Sequence, residues 1–383
     1  MTDQTEHHRH PIGEPLEQEA DALIHPEVQV QVPAAEQMSL LGRLRQPRTI
    51  LSITVPIAVI AIAVALNWAQ MRQVPGAIAG ASPLFVLVAF LVYYVGFPLR
   101  GYRWTKLLRG AGYRVKTRDA TEILFLSWFV NCIVPAKLGD LYRAYLLKQN
   151  SPVSATRTLG TVFMERILDL VAVAALGVAA GYIRFRGSLN DLPQGVQVVF
   201  AFGVVLAILL IVALVVMRNF GRRVIVLLRL PARAVELYER FEEGVFGSVG
   251  LRGLPALGVL TFMIWASEAL RLYFVVRALG FADVDLGLSG AMFVALIGSL
   301  LTAVPLFPGG LGLVDLGMLG VLTTFFTKNS IHATAIVVVD RAISVFSIVI
   351  LGAIAYVLSS KPRGGGMTVE QVAPSIAPSR RPA

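Results

Sequence analysis

The sequence predicts an all-α polytopic membrane bundle of about six full spans plus two re-entrant helical hairpins, built as an inverted-topology internal repeat. Three observations carry this expectation. Of 383 residues, 56% are hydrophobic and only 15% charged, with a mean hydropathy of +0.69, whereas soluble proteins devote about a quarter of their residues to charge. Several apolar runs, among them Thr49 to Trp68 and Val196 to Met217, approach the roughly 20 residues that a helix needs to cross about 30 Å of hydrocarbon. Two segments share the pattern P-x-x-L-G, Pro135-Ala-Lys-Leu-Gly139 and Pro308-Gly-Gly-Leu-Gly312, and each is followed by an acidic residue and Arg inside an apolar run.

The spans take their order from the basic residues, which concentrate on the cytoplasmic side of a bilayer. Arg43, Arg45 and Arg48 precede the first span and put the N-terminus inside. A second span from Pro83 to Pro98 returns to a basic loop carrying Arg100, Arg103, Lys106, Arg109, Arg114, Lys116 and Arg118. Asp119 to Thr158 therefore begins and ends inside, so the apolar Thr121 to Pro135 opens a re-entrant hairpin. Leu159 to Tyr182 then runs outward, Val196 to Met217 inward to a second basic loop from Arg218 to Arg240, and Gly253 to Val276 outward. Ser289 to Thr327 enters and leaves from the outside, and Ala333 to Leu358 crosses back. Both termini are then cytoplasmic in a plasma or inner membrane, and the two hairpins enter from opposite faces. Residues 1–45 and 361–383 read as disordered cytoplasmic tails flanking a membrane domain of residues 46–360, and no cleavable signal peptide is expected.

Matched features at matched spacing define the repeat. Arg166 and Arg341 stand 31 and 33 residues after Pro135 and Pro308. Inverted repeats of this kind build many secondary transporters, with the substrate site between broken helices near the midplane. Pro135, Gly139, Pro308, Gly309, Gly310 and Gly312 mark the hairpin tips, where freed backbone groups need protein or a water-filled cavity to satisfy them. A packed kink at Pro135, Pro305 or Pro308 is the plainer alternative, and the repeat disfavours it.

Ionisable groups at membrane depth face a partner or a cavity. The candidates are Asp140 and Arg143 after the first tip, Glu165, Arg166 and Asp169 on one helix, Glu268 and Arg271 on another, Asp315 after the second tip, and Asp340 with Arg341. Glu165 and Asp169 share a helix face, and Glu268 and Arg271 are spaced to pair. Each pair taken singly is as well explained by holding the bundle together. Their clustering around two tips favours one polar cavity, in which guanidinium forks and helix N-termini suit a phosphate. Neighbouring carboxylates suit an amine or sugar hydroxyls, which points to a zwitterionic or glycosylated phospholipid.

Other chemistries find little support. The net charge of +10 lies beside apolar runs, where it orients the chain, so nucleic acid is not an expected partner. Cys132 is the single cysteine and reads as a packing residue. His7, His8 and His10 form a weak compositional tract in the tail, and neither metal nor other cofactor is expected. Asp283-Val-Asp285 has the D-x-D form of metal-dependent glycosyltransferases, but it sits in a short external loop without a nucleotide-sugar domain. With His332 alone near the membrane region, the commonest general base is scarce. A G-x-x-x-x-G-K-[ST] loop is not found, so direct ATP coupling is not expected.

The motifs Asn131-Cys-Ile-Val-Pro-Ala-Lys-Leu-Gly-Asp-Leu-Tyr-Arg-Ala-Tyr-Leu, Glu165-Arg-Ile-Leu-Asp-Leu and Phe307-Pro-Gly-Gly-Leu-Gly-Leu-Val-Asp resemble the lysylphosphatidylglycerol synthase transmembrane family. This is the flippase domain of the multiple peptide resistance proteins, and the resemblance runs from about Gln46 to Leu358. It implies handling of an aminoacylated phospholipid, or of a polyprenyl-phosphate-linked sugar in relatives found beside glycosyltransferases. Membrane lipids, and a glycosyltransferase or aminoacyltransferase, are the partners it implies. The family usually has Glu where Asp315 stands. Only a short segment follows Leu358, without the soluble aminoacyltransferase domain, so lysine transfer and enzymatic activity are not expected. The alternative is a membrane transferase, or an accessory subunit, acting with a glycosyltransferase on a lipid-linked substrate.

Overall fold

The computed structural model describes residues 72–134, 137–184, 194–228, 231–302 and 308–372. The first apolar run, the tip residues Pro135 and Ala136, and Pro305 lie outside the described residues, as do the N-terminal tail and residues 373–383. The described chain is almost wholly helical. A short α1 (Val74–Ala79) leads into α2 (Pro83–Gly110), α3 (Thr117–Ile133), α4 (Leu138–Asn150), α5 (Ala155–Arg184), α6 (Gln194–Leu227), α7 (Ala232–Gly247) and α8 (Leu254–Leu279). Then come α9 (Gly287–Thr302), α10 (Leu313–Phe325), α11 (Ser330–Arg341) and α12 (Ser347–Leu358), the last two joined through a π-helical turn at Ala342–Phe346.

Among the described residues four helices are long and apolar enough to cross a membrane: Pro83–Gly110, Ala201–Gly221, Leu254–Leu279 and Ser330–Leu358. α5 has the length, 30 residues, but carries Glu165, Arg166 and Asp169. α6 exposes Ile208, Leu209, Ile211, Val212 and Val215. Such a contiguous apolar surface suits lipid, because water would penalise each of these side chains.

Both expected hairpins are broken helices. α3 and α4, of 17 and 13 residues, meet at the first tip, and α9 and α10, of 16 and 13 residues, meet at the second. At 1.5 Å per residue each spans only about 20–25 Å, short of the bilayer core. α4 starts from Lys137 in left-handed backbone, with the Asn131 Oδ1 of α3 accepting from the Gly139 N–H at 2.8 Å. Gly139 is obligatory there, since a Cβ would stand 2.0 Å from the Ser127 carbonyl oxygen.

The long helices α2 and α8 form the antiparallel centre. The Ser82 N–H, at the start of α2, donates to the Ala278 carbonyl near the end of α8 at 2.8 Å. One buried core gathers Tyr93 and Phe97 from α2 with Leu272 and Val276 from α8 and with Phe293 and Ile336. The other gathers Trp104, Leu107 and Leu108 from the far end of α2 with Leu257 of α8, Ile123 and Leu146. Each central helix thus gives one end to each core, as antiparallel packing requires.

Three expectations about boundaries are corrected. The second span does not stop at Pro98: α2 continues to Gly110, and Arg100 and Arg103 are buried at 4% and 0% exposure rather than lying in a loop. Proline removes one hydrogen bond from a helix interior, and in a membrane bundle neighbouring helices make this tolerable. Much of the second basic segment is also helical, as the end of α6 and as α7. Residues 361–372, expected to be disordered, pack back on the bundle: Lys361 reaches Asp119 at 2.9 Å, and Tyr113–Arg114 pairs antiparallel with Glu370–Gln371.

Candidate functional site

The charges sit midway along the central helices, where the two hairpins and their following helices converge. α2 supplies Arg100 and Arg103, α4 Asp140 and Arg143, α5 Glu165, Arg166 and Asp169, α8 Glu268 and Arg271, α10 Asp315, and the end of α11 Asp340 and Arg341. Six guanidinium groups thus face six carboxylates.

Their pairing is itself repeated. Arg166 holds Asp140 bidentately, with Nε and Nη2 each 2.9 Å from a carboxylate oxygen, and Arg341 holds Asp315 through Nε. In both pairs the partners are 26 residues apart in sequence. The acidic residue just before each of these arginines is bound from a central helix instead. Arg103 lies 3.4 Å from Glu165, and Arg271 donates to Asp340 at 2.9 and 3.3 Å. Adjacent residues on a helix point to different sides, so Glu165 and Arg166 cannot serve as one pair. Asp140 is the partner of Arg166, and Asp169 lies 3.9 Å from it.

The remaining contacts tie α4 and α5 to α2, and α2 to α8. Arg103 makes a fork on Asp169 at 2.6 and 2.9 Å and donates to Thr261 Oγ1 at 3.0 Å. Arg143 forks onto Glu165 at 3.2 and 2.8 Å and sits over Trp104, its Cζ 3.8 Å from the ring centre. Glu268 is shared by Arg100 at 2.5 Å and Arg271 at 2.7 Å. Arg100 stacks over Trp128 and Arg271 over Tyr93, at 4.8 and 4.9 Å.

A cavity of about 210 Å³ opens beside these groups. Of the residues predicted from sequence, Glu165, Arg166, Asp169, Glu268, Arg271, Asp340, Arg341, Gly309 and Gly310 line it. Asp140 and Asp315 stand behind Arg166 and Arg341 as their partners, and Arg143 is sealed in the protein at 1% exposure. Gly139 and Gly312 shape the tips from outside the lining. Sequence reasoning missed Arg100 and Lys137, which line the cavity, and Arg103, which binds two of its carboxylates. Apolar Trp104, Leu107 and Leu108 following the two arginines were the available signal that the helix ran on past Pro98.

Four lining residues keep a buried polar atom without a hydrogen-bond partner among the described residues: Nη1 of Arg100, Nη2 of Arg341, Nε1 of Trp265 and Oγ of Ser344. Buried polar groups are ordinarily satisfied, so these donors mark room for a ligand that accepts hydrogen bonds. The D-x-D carboxylates are engaged elsewhere. Asp283 binds Thr327 and His332, at 2.5 and 2.6 Å, and Asp285 binds Arg184 at 3.5 Å. Among the described residues no group of three His, Cys, Asp or Glu side chains could hold a metal ion.

Fold and site together define a polytopic helical membrane protein with a charged internal cavity between two hairpin tips. Residues 52–352 match the family described as lysylphosphatidylglycerol synthase TM region, and the chain belongs to that family. It is 37% identical over 232 residues to a UPF0104 membrane protein of Methanocaldococcus jannaschii, covering 60% of this chain and 93% of that protein. It is 28% identical over 335 residues to the glycosyltransferase AglD of Haloferax volcanii, covering 79% of this chain but only 53% of that protein. A UPF0104 membrane protein of Methanothermobacter thermautotrophicus is 26% identical over 326 residues, with 79% and 93% covered.

Proposed function

We propose that this chain translocates a lipid with a phosphate-bearing headgroup across a cell membrane, the headgroup passing through the cavity between the hairpin tips. The observation that carries this reading is the set of spare buried donors, above all Nη1 of Arg100 and Nη2 of Arg341, on a cavity already lined by paired guanidinium groups. A guanidinium held by a carboxylate on one edge presents its remaining N–H groups in a fixed direction, and phosphate oxygens are the natural acceptors. The carboxylates keep the empty site nearly neutral, since unpaired charge at membrane depth is costly. In the same reading both termini are cytoplasmic and the bound partners are membrane lipids.

The test is transbilayer movement of a fluorescent phospholipid in reconstituted vesicles. Wild-type protein should accelerate it. The charge-balanced pair Arg341→Gln with Asp315→Asn should abolish it while the protein still purifies as one species, and full activity of that pair would overturn the proposal. A second reading has the chain assist or perform glycosyl transfer on a lipid-linked substrate. It draws on the likeness to a relative named a glycosyltransferase, of which this chain matches about half the length.

A further inference from the structure

The P-x-x-L-G patterns of the two hairpin tips differ at both x positions, and the second difference is the telling one. The third position of P-x-x-L-G is Lys137 in the first tip and Gly310 in the second. Both adopt left-handed backbone, with φ of 51° and 71°. Glycine does so freely, whereas a Cβ is disfavoured there, and Lys137 is the only described non-glycine residue with positive φ. Strain of this kind persists where function requires it. A glycine at position 137, as the second tip has, would remove it.

Lys137 lines the cavity beside Arg166 and Asp169. Each of the six arginines has a carboxylate within salt-bridge distance, but no ion pair to Lys137 is formed among the described residues. The six carboxylates balance the arginines, so among the described residues lining the cavity Lys137 supplies the positive charge in excess. A phosphodiester carries one negative charge. Independently, Arg100 and Arg341, which line the same cavity, are 4% and 9% exposed and each keeps one side-chain nitrogen unpartnered among the described residues, which suits an anionic acceptor there.

We propose that Lys137 binds the phosphate of the headgroup at the first tip and so breaks the symmetry of the cavity. The phosphate lies toward the α3–α4 hairpin, and the uncharged or cationic remainder of the headgroup lies toward the Gly309–Gly310 tip. The strained backbone at Lys137 is kept for this contact. This assignment rests on the proposal that the cavity receives a phosphate-bearing lipid.

Trp128 and Trp265 line the cavity and provide the readout. Detergent-purified protein is titrated by tryptophan fluorescence with short-chain phosphatidylglycerol, with inorganic phosphate, and with a short-chain diacylglycerol that lacks phosphate. Wild type should bind phosphatidylglycerol well, and inorganic phosphate and diacylglycerol weakly. Lys137→Gly and Lys137→Ala should each weaken phosphatidylglycerol binding by on the order of tenfold or more, as expected for a lost charge-assisted hydrogen bond, and Lys137→Arg should retain most of it. Lys137→Gly should also raise the thermal midpoint by about 2 °C, and Lys137→Ala, which keeps the strain, should not.

Wild-type binding by both Lys137→Gly and Lys137→Ala, alongside loss in the Arg341→Gln, Asp315→Asn pair, would overturn the role of Lys137 and leave the cavity proposal standing. Wild-type binding by that pair as well would overturn both. A lowered midpoint for Lys137→Gly would overturn the claim of strain held for function. Inorganic phosphate binding as tightly as the lipid would overturn the assignment to a headgroup.

Discussion

Arg143 on α4 and Arg166 on α5 differ in kind, and their substitution should separate folding from transport. Arg143 and Glu165 have side-chain exposures of 1% and 3%, and Arg143 is off the cavity wall. Removing one partner of such a pair leaves an uncompensated buried charge at about 3–5 kcal/mol. Arg103 remains 3.4 Å from Glu165, so the lower end, about 3 kcal/mol, applies to Arg143→Gln. At roughly 2–4 °C per kcal/mol this lowers the thermal midpoint by about 6–12 °C. Arg166 and Asp140 are 34% and 17% exposed. Facing the cavity, Asp140 keeps more access to solvent than Glu165, so Arg166→Gln should cost less stability than Arg143→Gln, yet this variant should lose lipid movement.

The assay is a thermal melt in detergent joined to vesicle transport normalised to folded protein. Arg143→Gln should melt early and transport normally per folded molecule, and Arg143→Met with Glu165→Gln should recover stability to within about 1 kcal/mol. Equal midpoints for Arg143→Gln and Arg166→Gln would refute the division. So would transport lost in folded Arg143→Gln but kept in Arg166→Gln.

Two further outcomes test other parts of the structure. Gly139→Ala should destabilise by about 1–3 kcal/mol, because the new Cβ meets the Ser127 carbonyl oxygen at 2.0 Å and α4 must leave α3; Gly320→Ala, with open space around it, should be neutral or stabilising in the same melt. In the short segment after α8, slight burial pushes the Asp283 carboxyl up, but hydrogen bonds from Thr327 and His332 outweigh it and hold the pKa below its ordinary value. A depressed carboxylate pKa stabilises fully above the unfolded value of about 3.9 and loses that contribution as pH falls through the lower folded value. Protection factors at residues 281–284 and 327–332, which correct exchange for its intrinsic pH dependence, should therefore fall as pH drops below about 4, and Asp283→Asn should remove that acid dependence.

The sequence alone carried the class, the repeat and most of the ionic cluster. A run such as Leu254–Leu279 has few destinations other than a bilayer, and Pro followed by two glycines at 308–310 disfavours a continuous helix more than the lone Pro98 does. Buried charge is rare enough that Glu165, Arg166, Asp340 and Arg341 announce themselves. Partnership was not legible, because it depends on which helices meet. Glu165 and Arg166 are neighbours in the chain, yet the first is held by Arg143 and Arg103 and the second by Asp140. Arg100 and Arg103 looked like orientation charges after Pro98, and only the packing of α2 against α8 reveals them as buried. The left-handed backbone of Lys137 was equally hidden, since a lysine carries no local preference for it and the hairpin imposes it. Local chemistry decides where a helix runs and where it breaks; which charge meets which is settled when an antiparallel pair of central helices brings distant segments within a few ångströms, where low dielectric makes each wrong pairing expensive.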